Sequence, residues 1–360
     1  MTPREIVRAI FDKQIPERMG LNESFWPETL SEYWPKQGYP EGADPAEVFS
    51  YDVRGVGGWF DSTPFRGVWD VLEETDEWRV ARDGRGAALK FWKHKSGTPE
   101  HIEFECATPE VWFAKYREPL LATEPDRLGD MEAAKRAIVQ RREEGLYTCY
   151  ANLFVFELMR ATIGDQNFLP AMIEQPEWIA DFCQVHTDFF IRHYEILFRE
   201  AGLPDGFFLY EDLGYSNGPF CSPAMMRELW LPHAKRFVGF LKDYGLQVMM
   251  HSCGDVRMLV PLIVEAGVDV LQPMEAKAGN NVIELGKAFA GKLGFMGNID
   301  VRALSTNDRE AVRREVVGKL TAVRENRIPY VFHSDHSVPP DVTLETYRYA
   351  LDLFWEHCRY

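Results

Sequence analysis

The segment His251-Ser252-Cys253-Gly254 carries the clearest chemical signal in the sequence. It directly follows a short apolar run, so an imidazole and a thiol project toward one point from a turning backbone. Both groups are good ligands for zinc. A catalytic zinc keeps about three protein ligands and one open position, so a third donor must come from another segment. A buried cysteine beside a capping histidine is the alternative interpretation of this segment.

His336 is the best candidate for the third ligand. It lies in a polar burst, His333-Ser334-Asp335-His336, which follows the last apolar run of the chain. Asp335 fits either a metal ligand or a carboxylate that orients an imidazole. The alternative is that His333 and His336 cap and pack a loop.

Two adjacent carboxylates, Glu211 and Asp212, follow another apolar run. Adjacent side chains of an extended segment point to opposite sides, so at most one of them faces a shared site. We expect Glu211 or Asp212 to act as an acid/base group or as a polar contact for substrate. The alternative is that one of them caps the following loop. Glu275 and Asp300 occupy comparable positions, and each also fits a helix cap.

The elements that must position these residues follow a regular rhythm from about residue 130 onward, where helical periodicity alternates with short apolar runs. Reactive side chains follow several of these runs. Because the active sites of (β/α)8 barrels lie on the carboxyl-terminal rim of the strands, a closed TIM barrel is favoured over an open doubly wound sheet. The predicted strands are Tyr147–Leu153, Gly206–Tyr210, Gln247–His251, Val268–Leu271, Leu293–Gly297 and Pro329–His333, with one or two more hidden in the first half.

Helix boundaries are also marked in the sequence. Thr2 and Glu5 form a capping-box pattern that opens an N-terminal helix. Ser222 is expected to cap a helix that runs to Asp243, and Ser305 or Thr306 is expected to open another.

Residues 20–110 are interpreted as a cap region of a single domain, 1–360, whose regular βα units occupy 130–360. Within this region, residues 77–94 alternate in the manner of a β-hairpin with its turn at Asp83–Gly86. Four aromatic residues of the region are candidates to line an apolar pocket, although each also fits the core: Trp26, Trp34, Trp59 and Phe60.

Composition excludes several classes of function. With 40 Lys and Arg against 56 Asp and Glu, the net charge is −16, which disfavours binding to nucleic acid and to anionic membranes. No apolar stretch is long enough to predict a membrane span. The six cysteines lack CxxC spacing, which favours a reducing cytoplasm. Motifs of serine hydrolases, zincins and P-loop nucleotide hydrolases are not found.

The order of several blocks resembles the uroporphyrinogen decarboxylase superfamily, which also contains cobamide-dependent methyltransferases. The resemblance covers about residues 200–345 and implies a (β/α)8 barrel. The blocks are Glu211-Asp212-Leu213-Gly214, Ser222-Pro223, Leu231-Pro232-His233, His251-Ser252-Cys253-Gly254-Asp255, Ala266 to Pro273 and Gly297-Asn298-Ile299-Asp300.

The methyltransferase branch of this superfamily is the closer match, because it places zinc on a His-x-Cys pair and a later cysteine. His251 and Cys253 fall on the pair, and the later position aligns with His336 through the following Val338-Pro339-Pro340. The true decarboxylases need no metal and carry an arginine-rich motif near the amino terminus. The corresponding stretch here, residues 18–24, lacks the arginine pair.

The resemblance therefore implies a zinc-dependent methyltransferase that moves a methyl group between a small methylated compound and a corrinoid or thiol. His251, Cys253 and His336 would hold the zinc, and Glu211 or Asp212 would protonate the leaving group. The corrinoid would arrive on a separate carrier protein, and a homodimer is plausible. Two alternatives remain: a metal-independent decarboxylase with a strongly positive mouth, and a catalytically silent barrel that binds a ligand.

Overall fold

Eight parallel strands curl into a nearly closed barrel in the computed structural model, which describes residues 1–94 and 97–360. The strands of the protein are β1 (Gly20–Leu21), β2 (Val53–Gly55), β3 (Trp69–Glu74), β4 (Trp78–Asp83), β5 (Ala87–Trp92), β6 (Glu100–Phe104), β7 (Tyr147–Leu153), β8 (Gly206–Tyr210), β9 (Gly214–Tyr215), β10 (Gly218–Pro219), β11 (Gln247–His251), β12 (Val270–Gln272), β13 (Gly294–Met296) and β14 (Tyr330–Phe332). The barrel order is β1-β14-β13-β12-β11-β8-β7-β2.

Helices surround this barrel and connect its strands. They are α1 (Pro3–Phe11), α2 (Pro45–Val48), α3 (Pro109–Val111), α4 (Met131–Glu143), α5 (Val155–Thr162), α6 (Asp165–Glu174), α7 (Pro176–Ala201), α8 (Pro223–Leu229), α9 (Leu231–Asp243), α10 (Val260–Ala266), α11 (Val282–Ala288), α12 (Val301–Ser305), α13 (Arg309–Glu325) and α14 (Leu344–His357). Short 3-10 or π-helical turns cover Thr29–Tyr33, Pro35–Gln37, Trp112–Tyr116, Glu118–Leu120, Pro125–Leu128 and Ala276–Ala278. No helix within 1–94 or 97–360 is long and apolar enough to cross a membrane.

The predicted (β/α)8 barrel is confirmed, and all six predicted strands are present within about two residues of their expected bounds. The two hidden strands are β1 and β2, which the cap region contributes. Between them the Asp52 amide donates to the Leu21 carbonyl at 2.8 Å, and the Asp52 carboxylate accepts from the Leu21 amide at 2.8 Å. This short contact brings the two edges of the barrel together.

The N-terminal helix α1 closes the amino-terminal end of the barrel. Its predicted capping box is present, since the Thr2 hydroxyl accepts from the Glu5 amide and the Glu5 carboxylate accepts from the Thr2 amide. The apolar face of α1 packs against inward-facing residues of the barrel strands. Its buried residues are Ile6, Val7, Ile10 and Phe11. The helix therefore fills the end of the barrel opposite to the predicted site.

A four-stranded antiparallel sheet, β3-β4-β5-β6, is inserted between β2 and β7. The predicted hairpin is confirmed as β4 and β5, whereas the flanking strands β3 and β6 were not predicted. Because the sheet follows the carboxyl end of β2, it lies on the mouth side of the barrel. It packs closely there, since a Cβ at Gly164, just before α6, would overlap the Phe104 ring.

Two predicted helix boundaries were wrong. The helix opened by Ser222 is interrupted at Trp230, and the next helix begins at Leu231, with Pro232, which has no amide hydrogen to donate, in its first turn. The expectation that Ser305 or Thr306 opens a helix is also wrong, because Ser305 is the last residue of α12. Asp308 instead caps α13, with its carboxylate accepting from the Ala311 amide at 2.7 Å.

Candidate metal centre at the barrel mouth

The loops after β8 and β11 are in backbone contact, and this contact places Asp212 beside His251 and Cys253. Two glycines allow the approach. A Cβ at Gly254, whose φ is +76°, would overlap the backbone of Gly214. A Cβ at Gly214 would in turn crowd the Cys253 carbonyl oxygen, at 2.9 Å.

His251 and Cys253 converge as the sequence predicts. The Nε2 atom of His251 lies 3.2 Å from the Sγ atom of Cys253 and 3.3 Å from Oδ1 of Asp212. The Asp212 Oδ1 atom also accepts from the Cys253 amide at 2.8 Å. Both side chains of the His251–Asp212 pair remain partly exposed, so the cluster is open toward the mouth.

The charges in this cluster depend on one another. Although burial acts against it, the hydrogen bond and charge interaction with His251 lower the pKa of Asp212 to about 2. Burial likewise opposes protonation of His251, but Cys253 and Asp212 hold its pKa well above the ordinary value. Burial raises the pKa of the Cys253 thiol to about 11 in spite of the neighbouring imidazole. Asp212 therefore supplies the fixed negative charge of the cluster.

A second group of potential ligands shares Cys253. Single ligand atoms of Cys253, Glu275 and His336 all lie within 4.8 Å of one another, as do those of Asp212, His251 and Cys253. Burial lowers the pKa of His336, which keeps a nitrogen lone pair available for a metal. Trp26 supports His336 by stacking, with ring centroids 5.7 Å apart.

These residues fit zinc. Tetrahedral zinc with bonds of about 2.0–2.3 Å to nitrogen and sulfur holds its ligand atoms about 3.6 Å apart. The separation of 3.2 Å between His251 Nε2 and Cys253 Sγ is close to that value. His336 and Glu275 belong to the second group and supply further nitrogen and oxygen donors that zinc accepts; His251 and His336 share Cys253 but fall in different groups.

The sequence comparison identifies the family. Residues 155–357 match the family model of uroporphyrinogen decarboxylase (URO-D). The chain belongs to the uroporphyrinogen decarboxylase family. No curated protein sequence matches the chain. The matched range begins at α5 and includes five of the eight barrel strands, namely β8, β11, β12, β13 and β14.

Comparison of structures confirms the barrel fold of this family member. A methyltransferase from Methanosarcina mazei superimposes with a TM-score of 0.65 at 10% identity, covering 99% of each chain. A Xaa-Pro dipeptidase with bound methionine gives a TM-score of only 0.29 at 10% identity, over 65% of each chain. The second similarity is too weak to support an argument.

Glu211 belongs to neither group of candidate metal ligands of this uroporphyrinogen decarboxylase family member. Its buried carboxylate accepts from the Phe156 and Glu157 amides, each at 3.1 Å, and from Trp230 Nε1 at 2.7 Å. Burial raises its pKa to about 8. The two adjacent carboxylates thus diverge, with Asp212 in the cluster and Glu211 at the start of α5.

Asp335 is also held by backbone amides. Its Oδ1 accepts from the Val301 amide at 2.9 Å, and its Oδ2 accepts from the Ala276 amide at 3.0 Å. It therefore joins the loops that follow β12 and β13 to the loop that carries His336. This geometry fits a residue that shapes the loop.

The four candidate aromatic residues of the cap region separate into two pairs. Trp26 stacks on His336, and the half-exposed Trp59 packs on Tyr210 at 5.5 Å between ring centroids. Trp34 is fully buried, with its Nε1 donating to the Val342 carbonyl, and Phe60 packs against α7. Trp26 and Trp59 can therefore contact a ligand at the mouth, whereas Trp34 and Phe60 belong to the core.

Sequence reasoning gave little weight to two residues of the mouth. Glu275 was given a position comparable to those of Glu211 and Asp212, with a helix cap as the alternative, but it was not considered as a metal ligand. Glu157 lies in the first turn of α5, where burial and the nearby Asp212 raise its pKa. Its ion pair with Arg160, at 2.9 Å, places both charges at the rim.

Proposed function

We propose that this protein is a zinc-dependent methyltransferase that moves a methyl group between a small methylated compound and a corrinoid or thiol acceptor. The observation that carries the proposal is that Cys253 belongs to two groups of potential ligands, one with His251 and one with Glu275 and His336. The similarly folded protein from Methanosarcina mazei is a methyltransferase, which agrees with it. The corrinoid would be presented at the mouth by a separate carrier protein.

His251, Cys253 and His336 would hold the zinc, and Glu275 is the nearest further donor. Bound zinc would supply a Lewis acid that stabilises negative charge on the heteroatom losing its methyl group. Asp212 holds Cys253 and His251 in position, since its carboxylate accepts from the Cys253 amide and lies 3.3 Å from His251 Nε2. The negative charge of Asp212 would also offset part of the positive charge of a divalent cation.

Methyl transfer breaks the bond between carbon and the donor heteroatom, whose electron pair must then take a proton. Asp212 is ionised, and Glu211 is enclosed by amides and Trp230, so neither is well placed to supply that proton. Glu157 is a rim carboxyl with a raised pKa. We therefore assign proton donation to Glu157, with Arg160 holding its side chain.

The charges at the mouth favour this proposal over the decarboxylase alternative, which requires a strongly positive mouth for an acidic substrate. Asp212 and Glu275 contribute carboxylates, whereas the nearby cations already face carboxyl groups. Arg160 lies 2.9 Å from Glu157 and 3.1 Å from Asp165, and Lys277 lies 3.9 Å from Glu275. An acidic substrate would meet repulsion at the rim.

Elemental analysis of the purified protein tests the zinc site. We expect near-stoichiometric zinc in the wild type and its loss in both Cys253→Ser and His336→Ala. Cys358→Ser, at a buried cysteine beyond α14, is a matched control that should keep the metal. Absence of metal from protein purified without chelators would overturn the proposal. Loss in Cys253→Ser alone would remove His336 from the ligand set.

Turnover is tested with methylcobalamin as methyl donor and 2-mercaptoethanol as acceptor, followed by the absorbance change on demethylation. We expect activity that depends on zinc and on Cys253. Zinc binding without turnover, with this and with other methylated probes, would favour the silent ligand-binding barrel. Glu157→Gln should slow transfer from a methyl ether to cob(I)alamin while transfer to the thiol is retained, because only the ether oxygen needs a proton.

A further inference from the structure

Two buried polar side chains continue behind His251, on the side away from Cys253. His251 Nδ1 lies 2.5 Å from Oε1 of Gln272, and Gln272 Nε2 lies 3.4 Å from Nε2 of His333. His333 Nδ1 lies 2.6 Å from the Ser334 carbonyl oxygen. Gln272 is 4% exposed and His333 is 1% exposed. The result is a continuous hydrogen-bonded row that links β14 through β12 to β11.

The Ser334 carbonyl gives this row its direction, because a carbonyl oxygen can only accept. His333 Nδ1 must therefore carry a hydrogen. Burial lowers the pKa of His333 to about 4, so the ring is neutral and its Nε2 is an acceptor. That nitrogen accepts from the Gln272 amide group and lies 3.2 Å from the Ser24 hydroxyl, which can donate to it. The amide oxygen of Gln272 consequently faces His251.

The opposite arrangement is unfavourable at both ends of the row. With the Gln272 amide reversed, His333 Nε2 would carry the hydrogen and its Nδ1 lone pair would face the Ser334 carbonyl. Nδ1 also lies 3.3 Å from Oε1 of Glu23, another oxygen acceptor when that carboxyl is ionised. Leaving two acceptors face to face in a buried site costs about 1–3 kcal/mol.

We propose that Gln272 and His333 are positioning residues that keep a hydrogen on Nδ1 of His251, so that Nε2, the nitrogen that faces Cys253, is the one that gives up its proton to bind a metal. Histidines that bind a metal through one nitrogen usually donate from the other to a fixed acceptor, and loss of that partner weakens metal binding about 10- to 100-fold. The role in metal binding rests on the proposed zinc site, whereas the hydrogen position on His251 does not.

Long-range proton–nitrogen NMR spectra of metal-free protein with 15N-labelled histidine measure that hydrogen position directly. His251→Gln identifies the His251 signals. In the wild type, Nδ1 of His251 should stay protonated across the pH range in which the protein is folded, and any proton lost should leave from Nε2. Loss of the proton from Nδ1 instead would overturn the proposal.

The variant His333→Phe keeps a ring but removes the acceptor that orients Gln272. We expect a mixture of His251 tautomers and zinc binding weaker by about 10- to 100-fold. Adding Gln272→Glu should restore both, because a carboxylate presents an acceptor oxygen in either orientation. A purely space-filling role for His333 predicts no such rescue. His186→Phe, at a buried histidine on α7 whose pKa is also lowered to about 4, should change neither.

These measurements separate the two proposals. If the wild type binds no zinc but keeps the Nδ1 hydrogen, the proposed function fails and the role of Gln272 and His333 in orienting His251 stands. If zinc binds and His333→Phe leaves both its affinity and the His251 tautomer unchanged, the positioning role fails and the zinc site stands.

Discussion

The two ends of the barrel differ in the groups that contact their buried carboxyl side chains. At the amino-terminal end, Asp205 pairs with Arg4 and Arg8, and Asp269 pairs with Lys13 and Lys242. At the mouth, buried carboxyls accept mainly from backbone amides, hydroxyls, an indole or an imidazole, as Glu211 and Glu23 do. Cations thus neutralise the buried carboxylates at one end, whereas neutral hydrogen-bond donors hold Glu211 and Glu23 at the other.

The pKa values show the same contrast. Arg4 and the Thr148 amide outweigh burial and lower the pKa of Asp205, so that this carboxylate stays ionised. Burial raises the pKa values of Glu23 and Glu211 to about 8. Asp205 therefore stabilises the fold when it is charged, whereas Glu23 and Glu211 cost stability when they are charged.

The largest expected effect is on metal binding at the mouth. His251→Ala should weaken zinc binding by more than the roughly 100-fold that loss of an outer partner can cost, because a direct ligand is removed. Its side chain is partly exposed, so the metal-free variant should unfold within about 1 kcal/mol of the wild type. Competition with a zinc chelator and urea unfolding measure the two quantities. Retention of wild-type zinc affinity would show that His251 does not bind the metal. His357→Ala, at a histidine far from the mouth in sequence, is the control.

The next largest effect concerns the amino-terminal end of the barrel, which α1 closes. Phe11→Ala removes a buried ring of α1 and should lower the free energy of unfolding by about 3–5 kcal/mol. Zinc content per folded molecule should not change. Trp59→Ala, at a half-exposed ring of the mouth, should cost less than about 1 kcal/mol in the same urea titration. Equal losses in the two variants would contradict the division between the ends.

A smaller effect is expected from a single carboxylate of the amino-terminal end. Asp269 accepts from the Val248 amide at 2.8 Å and pairs with two lysines, so Asp269→Asn should cost about 1–3 kcal/mol. Asp300→Asn disturbs an ion pair with the exposed Arg302 and should cost about 0–1 kcal/mol. Thermal unfolding of both variants at one pH checks the ranking, which a larger loss in Asp300→Asn would reverse.

The smallest expected effects are on the pH dependence of the free energy of unfolding, which should differ between Glu23 at the mouth and Asp205 at the amino-terminal end. Between the ordinary pKa of about 4.5 and the folded value of about 8, native Glu23 binds more protons than unfolded Glu23, so its contribution to stability falls as pH rises. Glu23→Gln should flatten that fall. For Asp205 the folded pKa is lowered, so its contribution is lost as pH falls below its unfolded value, and Asp205→Asn should flatten the acid side. Urea midpoints across pH measure both slopes, and slopes of the same sign would refute the contrast.

Much of the fold could be predicted because β7, β8, β11 and their helices keep clear periodicity. The strands β1 and β2 could not, since they have only two and three residues and lie before the regular alternation of helices and strands that begins at about residue 130. β3 and β6 were missed for another reason. All residues of β3 and most of β6 are exposed, so burial imposes no alternation on their sequences.

The candidate site was predicted where chemistry depends on local spacing, as for His251 and Cys253. Contacts made across the barrel could not be predicted from local sequence. Nothing local distinguishes Asp335, which holds two loops, from a carboxylate that faces a metal. The importance of Gln272 depends on a histidine sixty-one residues away.

The pairing of β1 with β14 has a consequence for biosynthesis. Gly20 and Leu21 pair with Val331 and Phe332, so the first barrel strand emerges from the ribosome long before this neighbour. Until β14 has been translated, β1 lacks that partner and the barrel stays open along this edge. Closure must therefore wait for the synthesis of β14, and the open edge is exposed to chaperones and to aggregation until then.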